Sequence, residues 1–203
     1  TYQYDHHKIR GFKQTHQPSP WLNDYGAFSL MAVTGKQRFR ESERASWFSH
    51  KSETARPDYY QVYLADYDTQ VEFTPTERAA HFRFTFPRND SSYILLDAFD
   101  GGSRVEVHPE QRRITGYARN HHGGVPGNFH NYFVAEFDTD FEEIDVWKED
   151  ELLKDAVTAK GNHVGAILRF STKKGQQVHV KVASSFISPE QALLNLQREI
   201  GEA

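Results

Sequence analysis

The chain has 203 residues, a formal net charge of −4 and no cysteine. Charges of both signs are scattered without a basic stripe, which excludes the electrostatic footprint of a nucleic-acid-binding protein. The lack of cysteine excludes disulfides, thiolate metal sites and cysteine nucleophiles, and no apolar run is long enough to predict a membrane span. This length supports one domain with a sizeable core, and an aromatic content of 14% favours β structure.

Residues 11–26 carry the most informative local pattern, because polar and aromatic side chains converge in a segment that prolines and glycines interrupt. Trp21 offers a flat apolar face to a pyranose ring, while His16 and Asp24 supply donors and acceptors for hydroxyl groups. The pattern favours a sugar-facing loop. The alternative is a proline-rich connection in which Trp21 fills the core and His16 caps a turn.

Alternation of apolar and polar residues is clearest at residues 81–86, where three phenylalanines fall on one face. Similar patterns predict nine further strands at residues 59–64, 69–74, 93–99, 104–108, 113–119, 131–137, 142–148, 163–170 and 176–184. Turn-forming residues separate them at spacings typical of stacked antiparallel sheets. The sequence therefore predicts an all-β fold, a two-sheet antiparallel β-sandwich.

One helix is predicted near the end of the chain. Ser188 is a suitable N-cap, Pro189 suits the first helical position, and Gln191 completes a capping box. The apolar residues that share one helical face are Ala192, Leu193, Leu196 and Ile200. We expect a sandwich domain over residues 1–187 and a linker helix over residues 188–203 that leads towards another domain.

Catalytic motifs are weak in this sequence. The dense carboxylate pairs are Asp66/Asp68, Asp138/Asp140 and Glu142/Glu143. Each pair is interpreted as a solvated edge or turn, since local density alone does not place two carboxylates across a glycosidic bond. The histidine pairs lack a metal-binding motif, and neither a serine elbow nor a phosphate-binding loop is present. The residues alone therefore predict no catalytic centre and no metal site.

Several short motifs follow one another along nearly the whole chain. They are Ile-Arg-Gly-Phe (9–12) with Thr-His (15–16), Asp-Tyr-Gly (24–26), Phe-Ser-His-Lys-Ser-Glu-Thr-Ala (48–55) with Pro-Asp-Tyr-Tyr (57–60), Thr-Pro-Thr-Glu-Arg (74–78), Tyr-Phe-Val-Ala-Glu-Phe (132–137) and Ser-Ser-Phe-Ile-Ser (184–188). In this order they resemble the N-terminal domain of glycoside hydrolase family 92, the calcium-dependent exo-acting α-mannosidases.

The resemblance implies a supersandwich-like domain that precedes an (α/α)6 barrel of the same polypeptide, with the active site between the two. The barrel carries the acid and base carboxylates, so this chain is expected to be inactive alone. The whole enzyme is expected to invert the anomeric centre of terminal α-mannosides, α-1,2-linked ones and N-glycans included, with calcium as its cofactor and none bound in this chain. The resemblance also implies an extracytoplasmic location: periplasmic, cell-surface or secreted.

The same resemblance assigns His16, Trp21 and Asp24 to the sugar-binding cleft, with Trp21 stacking near the leaving-group sugar. It assigns His50 and Glu53 to the support of that loop, with a buried structural hydrogen bond as the alternative. Two departures stand out: the family's earlier Gly/Pro-rich stretch is not present before residue 1, so first strands are expected to be missing, and residues 17–21 replace a Leu-Ser-Gly motif. The competing hypotheses are a self-sufficient carbohydrate-binding module and a purely structural sandwich.

Overall fold

The computed structural model describes residues 4–16 and 24–201, which form stacked antiparallel sheets with two α-helices. The strands are β1 (Lys8–Ile9), β2 (Phe12–Lys13), β3 (Ser29–Thr34), β4 (Ser46–Trp47), β5 (Thr54–Arg56), β6 (Tyr59–Leu64), β7 (Thr69–Pro75), β8 (Ala79–Phe86), β9 (Asn89–Asp97), β10 (Ser103–His108), β11 (Arg113–Ala118), β12 (Asn131–Phe137), β13 (Glu143–Lys148), β14 (Glu151–Lys154), β15 (Thr158–Gly161), β16 (Val164–Thr172) and β17 (Gln176–Ser185). The helices are α1 (Glu41–Arg44) and α2 (Pro189–Glu199), and short 3₁₀ helices lie at His50–Ser52 and Pro109–Gln111.

Two large sheets make up the sandwich. The nine-stranded sheet has the order β15-β10-β11-β12-β17-β8-β7-β6-β5, and the six-stranded sheet has the order β14-β13-β16-β9-β3-β2. Strands β1 and β4 pair in a separate two-stranded ribbon. The predicted all-β, two-sheet antiparallel architecture is confirmed, and each of the ten predicted strands is present with its ends shifted by a few residues.

The core lies between the two sheets. Phe82, Phe84 and Phe86 of β8 point into it and are almost fully buried, as the alternating pattern predicted. Val178 and Val180 of the neighbouring strand β17 are buried on the same inner face. A period of two is visible in these strands because their opposite face carries mainly polar residues.

Strand β3 has no such alternation, and the sequence pattern missed it. Its residues 29–33 are all buried, because the segment that contains α1 covers the outer face of the six-stranded sheet. In that cover the ring of Phe39 lies 5.6 Å from the ring of Trp147, and Gln37 donates a hydrogen bond to Asp145. A strand buried on both faces is uniformly apolar and gives no period-2 signal.

A buried ion pair anchors the same covering segment. Arg44 of α1 donates to the Asp97 carboxylate at 2.6 Å, and their side chains are 1% and 2% exposed. His163 donates to the other Asp97 oxygen at 2.7 Å. Burial opposes ionisation of Asp97, but the hydrogen bond from His163 and the Arg44 charge outweigh it, so the pKa of Asp97 lies below its usual range. The hydrogen bond to Asp97 raises the pKa of His163.

Helix α2 begins with Ser188 as its N-cap and Pro189 at its first position, as predicted, but Gln191 does not complete the predicted capping box. The Ser188 hydroxyl accepts a hydrogen bond from the Gln191 backbone, whereas the Gln191 side chain donates to Asn195. The apolar face of α2 packs on the outer face of the nine-stranded sheet. This contact contains Ala79, Val134, Ala183, Ala192 and Leu196, with Leu193 and Ile200 at its edge.

The middle and the C-terminal end of α2 are tied to the sheet. In the second half of the helix, Asn195 donates to the Ser184 carbonyl at 2.9 Å. At its end, Glu199 accepts hydrogen bonds from the Thr76 hydroxyl at 2.5 Å and from the Arg78 side chain at 2.5 Å. Lys181 of β17 donates to the Gly201 carbonyl at 2.8 Å. The helix and the sheet are therefore joined by polar contacts as well as by the apolar face.

Candidate functional site

The predicted sugar-facing segment contains strand β2 and continues into residues 14–16 without a helix. Trp21, the residue expected to stack on a sugar, lies outside the described residues, so its role stays a prediction. His16 and Asp24, the other two predicted cleft residues, lie on either side of it and are brought together.

The contact between these two residues is direct. The His16 backbone and the Tyr25 backbone both donate to the same Asp24 carboxylate oxygen, at 2.8 and 2.9 Å. One side chain, that of Asp24, therefore joins residues 16 and 25. Asp24 thus acts as an acceptor for two backbone N–H groups beside the His16 ring, and the predicted contact of both residues with a sugar stays a prediction.

The His16 ring is held in one tautomer. Its Nδ1 lies 2.8 Å from the Tyr25 carbonyl oxygen, which can only accept, so Nδ1 carries the proton. Burial lowers the pKa of His16 and the nearby Asp24 charge opposes this only in part, so the ring is neutral near pH 7. The second nitrogen, Nε2, is buried and meets no hydrogen-bond partner among the described residues. It is thus an acceptor suited to a hydroxyl group.

An aromatic cluster surrounds His16, and sequence reasoning did not assign its members to the site. Ring centroids of His16 and Phe186 are 4.9 Å apart, and those of His16 and Tyr25 are 5.6 Å apart. Phe129 contacts both Tyr25 and Phe186. Tyr25 and Phe186 could have been proposed from their positions in the sequence, because each belongs to a motif that supported the family resemblance.

Three chain segments converge here, and asparagine side chains fix them. Asn120 exchanges two hydrogen bonds with the backbone of Ala27, and Asn131 donates to the Gly26 carbonyl. Gly26 has φ +62°, and a Cβ on it would lie 2.6 Å from the Asn131 side chain. Only glycine therefore permits this close approach.

The cluster adjoins the start of α2. The Ser184 hydroxyl donates to the Gln14 side chain at 2.7 Å, which joins the end of β17 to the segment that leads to His16. A cavity of about 280 Å³ lies beside Gln14 and Thr15, between β2 and the β7–β8 hairpin. Phe186 of the aromatic cluster and the next residue, Ile187, are 46% and 76% exposed.

The profile of the Glycosyl hydrolase family 92 N-terminal domain matches residues 1–185. The chain belongs to glycosyl hydrolase family 92. The order of motifs that suggested this resemblance is therefore confirmed, and the sandwich is the N-terminal domain of that family.

Solved structures agree with this assignment of the family 92 domain. The family GH92 inverting mannosidase BT2199 from Bacteroides thetaiotaomicron VPI-5482 is 40% identical with a TM-score of 0.96, covering 100% of this chain and 27% of that chain. The family GH92 α-mannosidase BT3965 from Bacteroides thetaiotaomicron, in complex with mannoimidazole, is 28% identical with a TM-score of 0.88, covering 100% and 29%. The GH92 hydrolase ccman5, 22% identical with a TM-score of 0.81 and covering 100% and 29%, shares the fold. None of the curated proteins matches.

This chain therefore spans less than a third of the length of these family 92 structures. Within residues 4–16 and 24–201, no helix is long and apolar enough to cross a membrane. In the same ranges, no three His, Asp or Glu side chains gather as a metal site.

His50 and Glu53, predicted to support the sugar-binding loop, form a pair in the turn after β4. His50 Nδ1 lies 2.6 Å from Glu53, and Nε2 lies 2.7 Å from the Tyr4 carbonyl oxygen. Both partners are acceptors, so the protonated ring satisfies them, and the hydrogen bond to Glu53 raises the pKa of His50. Tyr60 donates to Glu53 and packs against Phe12 of β2. Tyr60 thus connects the His50–Glu53 pair to Phe12, the first residue of β2, which precedes the predicted loop.

The carboxylate pairs have structural partners at turns and strand ends. Asp66 accepts from the Trp47 backbone, Asp138 accepts from the His179 backbone, and Glu143 pairs with Arg169. These contacts agree with their interpretation as turn and edge residues rather than as an acid and a base.

Proposed function

We propose that this family 92 domain forms one wall of the substrate cleft of an inverting α-mannosidase that acts on terminal α-mannosides, including α-1,2-linked ones and those of N-glycans. The observation that carries the proposal is the 40% identity to an inverting mannosidase over 100% of this chain. The second neighbour, an α-mannosidase bound to mannoimidazole, supports the same substrate class.

The His16 cluster supplies the chemistry of that wall. The buried Nε2 of neutral His16 can accept a hydrogen bond from a sugar hydroxyl. Tyr25 and Phe186 supply an aromatic surface for the apolar face of the ring. Sequence places Trp21 in the same loop, as a stacking surface for the leaving-group sugar.

The remaining parts of the enzyme are assigned to an (α/α)6 barrel that follows α2. Ile187, directly before α2, is an apolar residue with 76% exposure, as expected of a residue that another domain covers. The barrel would carry both carboxylates of an inverting reaction, an acid for the leaving oxygen and a base for the attacking water. The domain alone is then inactive, and the enzyme acts outside the cytoplasm.

Calcium belongs to this proposal only for the complete enzyme. When bound there, it would help to distort the terminal mannose. Since the described residues gather no ligand set, no calcium ligand is assigned to them. A self-sufficient binding module is not favoured, because the matched structures are family 92 hydrolases of which this domain is less than a third.

The test compares this chain with a longer polypeptide that contains it and the barrel. Mannose release from α-1,2-mannobiose is measured with calcium and after chelation. We expect calcium-dependent release by the longer protein alone. Release by this chain alone would refute the shared cleft, and no release by either would refute the assigned activity.

The role of His16 is tested in the longer protein by His16→Phe, which keeps a planar ring and removes both nitrogens. Loss of one hydrogen bond to substrate predicts about a tenfold fall in kcat/KM. The matched control is His108→Phe, because His108 bonds Thr115 on the neighbouring strand β11. Equal activities of the two variants would remove His16 from the cleft.

A further inference from the structure

We infer that the surface formed by Tyr4 and Trp47 binds a sugar ring of a neutral glycan. Trp47 is 51% exposed and Tyr4 is 70% exposed, the two most exposed aromatic side chains among the described residues. They lie in the β1–β4 region at the two ends of a series of ring contacts, Tyr4–His50, His50–His7 and His7–Trp47. Exposed aromatic rings grouped in this way are typical of a binding surface.

Trp47 is presented on a fixed backbone. Its N–H donates to the Asp66 carboxylate at 2.8 Å, and its carbonyl accepts from Ala65 at 2.9 Å. The next residue, Phe48, donates to the His7 carbonyl at 3.0 Å and has a buried side chain. Because these bonds hold the strand on both sides, little conformational freedom is lost when a ligand contacts the indole.

Tyr4 is held from below. Its ring stacks on His50 with centroids 4.1 Å apart and planes inclined by 7°, and its carbonyl accepts a hydrogen bond from the same ring. One ring face therefore rests on His50. At 70% exposure the opposite face meets solvent, and it is the kind of surface on which the C–H groups of a pyranose pack.

The polar groups around the rings select a neutral ligand. Lys8 places its ammonium 5.0 Å from the Trp47 ring, and the exposed Asp66 carboxylate accepts a hydrogen bond from the Trp47 backbone N–H. The ring of His7 lies nearly parallel to the indole at 6.5 Å. Lys8, Asp66 and His7 offer donors and acceptors to hydroxyl groups, and the positive charge of His50 beneath Tyr4 is paired with Glu53, so neither sign of charge dominates among these groups.

The choice of mannose as the sugar rests on the proposed function, whereas the binding surface does not. Sequence reasoning used Phe48 as the first residue of a motif and left Trp47 unassigned. In the structure Trp47 is exposed, whereas Trp147 is buried with 1% exposure.

The three tryptophans allow a direct test by NMR of this chain. The indole N–H signals are assigned with Trp47→Phe and Trp21→Phe, and the protein is titrated separately with α-1,2-mannobiose and with maltose. We expect a saturable shift of the Trp47 signal and none of the buried Trp147 signal. Trp47→Ala should weaken binding about tenfold, as truncation of a central aromatic contact does. Val157→Ala, an exposed apolar residue before the edge strand β15, should leave binding unchanged.

The outcomes separate this inference from the proposed function. A Trp47 signal that stays fixed with both sugars overturns the inference, even if the longer protein releases mannose. A shift with maltose alone supports the glycan surface and removes mannose as its ligand. Concentration-dependent dimerisation lost in Trp47→Ala would assign the surface to a second copy and also overturn the inference.

Discussion

Replacement of Asp97 by asparagine tests the buried ion pair that fixes α1 to the six-stranded sheet. The side chains of Arg44 and Asp97 are 1% and 2% exposed and are joined at 2.6 Å. Asp97→Asn keeps the shape but leaves the guanidinium buried without a counter-charge, which costs about 3–5 kcal/mol. At about 2–4 °C per kcal/mol for a domain of this size, the melting temperature should fall by about 6–20 °C.

Urea unfolding at pH 7, followed by tryptophan fluorescence, gives the free energy of unfolding and its slope. The matched control is Asp100→Asn, the same substitution at an exposed position three residues later, expected to change stability by less than about 0.5 kcal/mol. A loss below about 1 kcal/mol for Asp97→Asn with an unchanged slope would refute the claim that Arg44 depends on this carboxylate.

Two further predictions concern the same sheet. Gly165→Ala should destabilise the domain by about 1–3 kcal/mol or more, because the new Cβ would lie 2.0 Å from Trp147. The midpoints of urea unfolding measure this loss. The control for backbone strain alone is Gly175→Ala, since Gly175 has φ +77° and a Cβ there would meet nothing within 4 Å. His163 has a raised pKa in the folded state, so its contribution to stability is full below its unfolded pKa, about 6.5, and is lost as pH rises through the folded value. Burial lowers the pKa values of His16 and His81, which makes stability change with pH in the opposite direction. The measurement is therefore the difference in the free energy of unfolding between wild type and His163→Gln, from pH 5.5 to 8.5. A difference that is independent of pH would contradict the prediction.

Most of the strands that the sequence predicted have one buried and one more polar face, whereas β9 and β16, also predicted, are buried on both faces over residues 92–97 and 164–168. In β8 the three phenylalanines face the core while His81 and Arg83 face outwards, so burial and alternation coincide. Strands β1, β2 and β4 have two residues each, which is too short for any period to appear. Strand β3 was missed for a different reason, since Met31 and Val33 are buried under the α1 segment and make the pattern uniform.

The candidate site was predictable only in its local part. His16 and Asp24 are eight residues apart in the sequence and share a hydrogen bond. Phe129 and Asn120 join this part of the chain from about a hundred residues away, through the pairing of β11 with β12 and the connection between them. No local period or motif encodes that distance, which depends on the order of strands in the nine-stranded sheet.

The polar contacts of α2 fix its orientation on the nine-stranded sheet. Asn195, past the middle of the helix, bonds β17, while one turn later Glu199 bonds the β7–β8 hairpin and Lys181 of β17 bonds the Gly201 carbonyl. A helix held at two points cannot swivel about either one. In any longer polypeptide, the direction of the segment after Gly201 would therefore be set by the sandwich. The sandwich would then fix the orientation of a following domain.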